Sequence, residues 1–125
     1  MNLTHVTGPS ITLETWLQAR LQEAPPELAD AIRSLVVGVP SDDEEGLVSV
    51  ALDALETVAN GKGTRGSAIN LLAADAILTY ALEAAAEPGL GGSAARALRL
   101  ARRIGPRGVI GERFHTRAEA REDAR

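Results

Sequence analysis

One long apolar segment limits what this chain can fold into more than any other feature. Residues 67–87, SAINLLAADAILTYALEAAAE, precede Pro88 and consist mainly of alanine and leucine. Both residue types favour helix, and a helix of about 20 residues is roughly 30 Å long, the width of a small domain. A helix that is apolar on nearly every side is typical of the centre of a bundle. We therefore predict an all-α fold, a compact bundle or array of about five helices around this central, largely buried helix.

Helix-end signals divide the first half of the chain into three helices. Thr12 is a predicted N-cap, since its hydroxyl can accept a hydrogen bond from an unpaired amide of the first turn. Pro26 follows another proline, so it marks the end of the first helix and suits the first turn of the second. Ser41 and Glu44 have the spacing of a capping box and predict the start of the third helix. Gly61 is predicted to end that helix in the left-handed conformation.

The last predicted helix covers residues 93–104, with Ser93 as its N-cap. Its predicted core-facing positions are Ala94, Ala97, Leu98, Ala101 and Ile104. Periodicity is lost after the helix, so we expect one helical domain over residues 11–110. Residues 1–10 and 111–125 are predicted to be flexible, the latter a charged tail.

Composition and charge exclude several classes of protein. The chain has no cysteine, which excludes disulfides and thiolate zinc sites. Residues 1–92 hold 13 acidic and 4 basic side chains, whereas residues 93–125 hold 9 arginines and 4 acids. This asymmetry bears on association and partners more than on fold. The first ten residues do not resemble a secretory signal, and acids interrupt the long apolar segment, so we expect a cytoplasmic protein without membrane contact.

Side chains suited to catalysis or metal binding are scarce. The two histidines, His5 and His115, lie in segments predicted to be flexible. Neither belongs to the E-x-x-H pair that binds metal in di-iron bundles. Ser67 and Ser93 are better explained as helix caps than as nucleophiles, because no histidine lies in a predicted folded segment. We therefore predict no enzymatic activity, no catalytic residues, no metal site and no cofactor.

The glycine-rich loop at residues 61–67, GKGTRGS, has the spacing G-x-G-x-x-G. The dinucleotide-binding form of that motif needs a strand before the loop, and here a helix is predicted instead. A helix N-terminus still offers free amides and a partial positive charge, to which two basic side chains add. One hypothesis is a site for a small anionic ligand, formed by Lys62, Arg65, Gly66 and Ser67. The alternative is a flexible joint with solubilising charges.

Asp75 is a candidate buried polar residue, because it lies in the middle of the apolar helix. Asp75, Thr79 and Glu83 recur every four residues and therefore share one side of that helix. Three interpretations stay open: a solvent-exposed stripe, a polar track inside the bundle for a ligand or metal, and a buried ion pair that fixes helix register.

The segment around Asp75 resembles a short helix of the isoprenyl diphosphate synthases. The resemblance lies in LLAADAILTYALEAA, through Asp75, Ala76, Ala81 and Glu83. The aspartate-rich D-D-x-x-D motifs that bind magnesium diphosphate in that family have no counterpart in this sequence. The resemblance therefore implies no activity for this chain.

Four arginines form a candidate interaction surface on the last helix: Arg96, Arg99, Arg102 and Arg103. They are predicted to pair with the acidic surface of their own domain or of a second copy, or else to contact nucleic acid. Aromatic residues make up only 2% of the chain, which argues against stacking on single strands. The acidic run at residues 42–45 is predicted to be a charged helix start, or alternatively a docking patch for a basic partner.

The sequence thus predicts a small, non-enzymatic helical protein that acts as a protein interaction or regulatory module and can self-associate. A protein partner or a homo-oligomer is expected. The two alternative functions are a nucleic-acid-associated protein that uses the arginine-rich helix 93–104, and a binder of a small anionic ligand at the loop 61–67.

Overall fold

The computed structural model describes residues 11–37, 43–61 and 63–105, which form five α-helices and one short 3₁₀ turn. The helices are α1 (Leu13–Glu23), α2 (Pro26–Val36), α3 (Glu44–Asn60), α4 (Arg65–Ala86) and α5 (Ala94–Ile104), and the turn Pro88–Leu90 joins the last two. No strand occurs within the described ranges. The predicted all-α fold is therefore confirmed. The segments 1–10 and 111–125, predicted to be flexible, lie outside the described residues.

Side-chain caps start α1, α3, α4 and α5, and two of the predicted caps are confirmed. The Thr12 hydroxyl accepts a hydrogen bond from the Thr15 amide at 3.1 Å, and the Ser93 hydroxyl accepts one from the Arg96 amide at 3.1 Å. Each bond satisfies one of the amides that a helix start leaves without a backbone partner. The prolines before α2 also act as predicted, with Pro26 as its first residue.

Two other helix starts differ from the prediction. The cap of α3 is Asp43, whose carboxylate accepts from the Gly46 amide at 3.2 Å, so Glu44 is the first helical residue and not the third. Ser41 lies outside the described residues. The cap of α4 is Thr64 rather than Ser67, because the Thr64 hydroxyl accepts from the Ser67 amide at 3.0 Å. The helix therefore begins earlier than predicted.

The end of α3 also differs from the prediction. Gly61 has φ −95° and ψ −178°, an extended conformation and not a left-handed one. Within the described ranges, Gly91 has the one positive φ, at 75°, and it follows the 3₁₀ turn. The left-handed glycine thus serves the connection between α4 and α5.

The core lies between α4 and the helices α2, α3 and α5, each of which packs against it. Leu21, Ile32 and Ile77 are its largest fully buried side chains. Alanines line the inner face of α4: Ala73, Ala74, Ala81, Ala84 and Ala85. Because alanine is small, these positions allow close approach of the neighbouring helix backbones. The inner face of α4 is therefore the surface against which α2, α3 and α5 pack.

Burial of α4 is confined to that inner face, so the helix is less buried than the sequence indicates. In the most apolar window of α4, 33% of the residues are buried. By length and composition alone α4 could cross a membrane, because its two acids still leave a mean hydropathy of 1.4. The expected absence of membrane contact therefore stays a prediction. A core helix of a soluble protein has the same composition, so a cytoplasmic location stays a prediction.

The buried face of α5 is rotated away from the predicted one. Leu100 and Ile104 are buried and Ala97 is partly buried, whereas Leu98 is 52% exposed. Ala94 and Ala101, also predicted to face the core, are exposed. This rotation turns the side of α5 that carries Arg96 and Arg103 toward the start of α3.

Candidate functional site

An acid–arginine junction connects the start of α3 with α5. Arg96 Nε donates to Glu44 Oε1 at 2.5 Å, and the Glu44 side chain is only 11% exposed. Arg103 Nη1 donates to Glu45 Oε1 in the neighbouring pair, which is open to solvent. Glu44 and Glu45 occupy the first turn of α3, where the helix dipole also favours negative charge. The junction therefore holds two of the four arginines of α5 within the domain.

A cleft of about 350 Å³ opens along this junction. It is lined by Asp43, Glu44, Glu45, Arg96, Arg99, Leu100 and Arg103. Among the described residues, Arg99 and Arg102 have no ion pair. The structure thus separates the predicted arginine surface into two arginines that form ion pairs, Arg96 and Arg103, and two that form none within the described part of the chain, Arg99 and Arg102. In the structure Arg96 and Arg103 pair with Glu44 and Glu45 of the same domain, which is one of the two pairings predicted for α5, and pairing with a second copy stays a prediction. Asp42 lies outside the described residues.

The outer face of α4 is the side turned away from the core, and it carries Arg65, Ala68, Leu71, Leu72, Asp75 and Thr79. All six residues are exposed. Leu71 is 46% exposed and Leu72 is 55% exposed, although both lie well inside the helix. A leucine that is left in water loses about 1.5–3 kcal/mol relative to full burial. The outer face therefore combines exposed leucines with one basic and one acidic side chain.

Asp75 is exposed, so its proposed burial is wrong. The physical reason is that the inner face of α4 is occupied by alanines and Ile77, which leaves Asp75 on the opposite side. Thr79 is exposed as well, and its hydroxyl donates to the Asp75 carbonyl at 3.1 Å. Of the three interpretations, the solvent-exposed stripe is the one that the structure supports.

Glu83, at the end of that stripe, holds α1 against α4. Arg20 Nη1 lies 3.3 Å from Glu83 Oε2 and the guanidinium stacks over Trp16, 4.7 Å from the ring centroid. Trp16 in turn meets Tyr80 edge to face, with ring centroids 6.3 Å apart. These contacts combine an ion pair, a cation–π contact and an aromatic pair, so this end of α4 has a structural role.

The glycine-rich loop brings Arg65 to a carboxylate of its own chain. Arg65 Nη2 donates to both carboxylate oxygens of Glu27, at 3.0 and 3.2 Å. The Ser67 amide is already used by the Thr64 cap. Lys62 lies outside the described residues. The hypothesis of a small-anion site at this loop stays a prediction, and any anion there must compete with Glu27.

No group of three or more histidine, aspartate or glutamate side chains that could hold a metal ion occurs in the part of the chain that the structure describes. Sequence reasoning identified the arginines of the junction but did not identify Glu44 and Glu45 as their partners. It also missed the exposure of Leu71 and Leu72. The four-residue spacing of Asp75, Thr79 and Glu83 was the one signal that could have located the outer face.

Comparisons with known proteins give no match: no family model, no curated protein and no solved structure is similar to the chain. The resemblance of residues 71–85 to the isoprenyl diphosphate synthases is thus limited to one helix. The function must be inferred from the surfaces described above.

Proposed function

We propose that the protein is a small, non-enzymatic interaction module that binds a protein partner through the outer face of α4. The observation that supports this most directly is the exposure of Leu71 and Leu72 on the same helix that provides the core-facing alanines. Contiguous exposed apolar side chains with polar neighbours are typical of protein interaction sites. Arg65 and Asp75 supply polar neighbours at the two ends of the leucine pair.

The other candidate surface is less suited to a protein partner. At the junction, the acids of α3 already neutralise Arg96 and Arg103, and Leu100 is buried. A new partner would have to replace ion pairs that the domain forms by itself. On the outer face of α4 a partner removes leucines from water without breaking an existing contact of their side chains. The outer face therefore offers the larger gain in free energy on binding.

Photo-crosslinking in cells tests this proposal. We expect a photoreactive amino acid at Leu72 to give covalent adducts with a protein, whichever protein that is. The same group at Leu98 is the matched control, because Leu98 is a leucine of similar exposure, 52%, on α5. Adducts at Leu98 and none at Leu72 would place the interaction on α5. Absence of adducts at both positions would contradict the proposed function.

Nucleic-acid binding is the second candidate function, and the exposure of Arg99 and Arg102 favours it. The double variant Glu44→Gln/Glu45→Gln is expected to bind duplex DNA or RNA more tightly than the natural chain, because it frees Arg96 and Arg103. Each arginine that reaches a phosphate steepens the dependence of log K on log salt by about 0.9. Fluorescence anisotropy across salt concentrations measures both quantities.

The control for that experiment is Glu14→Gln/Glu23→Gln, which removes the same charge from exposed positions of α1. An equal gain in affinity for both double variants would mean that the gain comes from the change in net charge and not from the release of Arg96 and Arg103. If neither the natural chain nor the variants bind nucleic acid at low salt, this second function is excluded.

A further inference from the structure

The exposed residues of α4 repeat with a heptad spacing. Arg65, Ala68, Leu72, Asp75 and Thr79 are separated by three and four residues in alternation, and all of them are exposed. At 3.6 residues per turn, these positions fall within one narrow arc of the helix. The same spacing defines the seam along which two helices pack in a coiled coil. The outer face thus has the geometry of a helix-pairing surface over the first half of α4.

We infer that the partner of this surface is a second copy of the chain, packed with its α4 antiparallel to the first. This inference rests on the proposed function and specifies its partner. In an antiparallel pair, each first position of the heptad lies opposite a fourth position of the other helix. With Leu72 opposite Ala68 of the second copy, a large side chain meets a small one. The two-fold symmetry repeats that contact, so the centre consists of two leucine–alanine layers.

Charge complementarity supports a second copy over an unrelated partner. In the register that pairs Leu72 with Ala68, Arg65 lies opposite Asp75 of the second copy, and symmetry produces this ion pair twice. The apolar centre is thus bounded on both sides by opposite charges from one and the same surface. Shifting the register by one heptad would instead place Asp75 against Leu72, which leaves a carboxylate facing an apolar side chain.

Both charged residues are available for this contact. Arg65 uses only Nη2 for Glu27, and its side chain is 80% exposed. A guanidinium has five N–H donors, so it can hold Glu27 and a second carboxylate together. The Asp75 carboxylate has no hydrogen-bond or ion-pair partner among the described residues. The intermolecular pair therefore forms without loss of an intramolecular one.

The length of the surface sets the strength of the dimer. From Arg65 to Asp75 the helix rises about 15 Å, which is a short interface by the standard of stable dimers. The dimer is therefore a reversible one, with a dissociation constant between about 1 μM and about 1 mM. Its population depends on protein concentration.

Sedimentation equilibrium of the full chain, from about 10 μM to about 1 mM, tests this inference. The natural chain is expected to show a concentration-dependent dimer. Arg65→Asp and Asp75→Arg each place like charges opposite each other, and each is expected to weaken the dimer by about tenfold or more. The double variant Arg65→Asp/Asp75→Arg reverses both charges of each pair and is expected to restore the dissociation constant to within about threefold.

Glu27→Gln is the matched control, because it removes the intramolecular partner of Arg65 and leaves the proposed intermolecular pair intact. Its dimer is expected to be as stable as that of the natural chain. A natural chain that is monomeric over the whole range overturns the second-copy inference; adducts of Leu72 with a different protein would then still support the proposed function. A dimer that the double variant fails to restore overturns the antiparallel register.

Discussion

Replacing Gly92 with alanine is expected to destabilise the protein by about 3 kcal/mol, near the upper end of the usual cost of overpacking. A Cβ atom at this position would lie 2.2 Å from the Ala85 carbonyl oxygen and 2.9 Å from the Glu87 amide nitrogen. Both neighbours are backbone atoms, so no side-chain rotation can relieve the overlap. The Gly92 amide also donates to the Glu87 carbonyl at 2.9 Å, which holds the backbone in this position. Urea denaturation followed by circular dichroism measures the loss.

Two other glycines provide graded controls for this experiment. A Cβ at Gly63 has no atom within 4 Å, so Gly63→Ala is expected to be close to neutral. Gly91 also has open space around it but adopts φ +75°, so Gly91→Ala is expected to cost about 1–2 kcal/mol from backbone strain alone. If Gly92→Ala is no more destabilising than Gly63→Ala, the turn does not approach the end of α4 as closely as the structure indicates.

The turn at Gly92 sets the position of α5 relative to α4. The Ser93 amide donates to the Ala85 carbonyl at 2.9 Å, and the Ser93 hydroxyl caps α5. The same residue thus fixes the end of α4 and the start of α5. This arrangement directs Arg96, one turn into α5, toward Glu44 on α3.

The features that could be predicted from the sequence are those that depend on interactions between residues close together in the chain. The caps at Thr12 and Ser93 and the proline at the start of α2 each act within one helical turn. Where two candidates lie within a turn of each other, local chemistry does not choose between them. Thr64 and Ser67 are such a pair, and the chain uses Thr64, which places Arg65 in the first turn of α4 within reach of Glu27.

The face that a helix buries could not be predicted where alanine and leucine occur on several sides. In α5 the positions Leu98 and Leu100 both fit an apolar stripe, and only Leu100 is buried. The spacing of apolar residues within α5 cannot show which of these two leucines is buried, because the contact that decides it involves a distant part of the chain. Burying Leu100 lets Arg96 reach Glu44, a residue 52 positions earlier in the chain.

The extent of burial of α4 could not be predicted for a related reason. The hydrophobicity of α4 indicates how favourable its burial would be, but the packing of the neighbouring helices determines how much of its surface is covered. Here α2, α3 and α5 cover the alanine-lined face, and Leu71 and Leu72 stay exposed. The helix could therefore be predicted from the sequence, whereas the candidate interaction surface depends on how the neighbouring helices pack.

Arg96→Ala is expected to lower the free energy of unfolding by about 2 kcal/mol, somewhat less than the loss of one partner in a fully buried ion pair. The substitution leaves Glu44 with its carboxylate mostly buried, at 11% side-chain exposure, and without its arginine. Arg103→Ala removes the neighbouring contact to Glu45, whose side chain is 52% exposed. Since an exposed ion pair contributes at most about 1 kcal/mol, Arg103→Ala is expected to have the smaller effect. Chemical denaturation of both variants measures the difference.

A double-mutant cycle with Glu44→Gln separates the ion pair from the other packing contacts of Arg96. If the pair accounts for the loss, Arg96→Ala costs much less in the Glu44→Gln background, because the neutral amide no longer leaves a charge buried without a partner. Equal costs of Arg96→Ala in both backgrounds would assign the loss to the packing of the arginine side chain. Equal costs of Arg96→Ala and Arg103→Ala would contradict the burial of Glu44. The cycle thus determines whether the junction between α3 and α5 depends on its buried carboxylate.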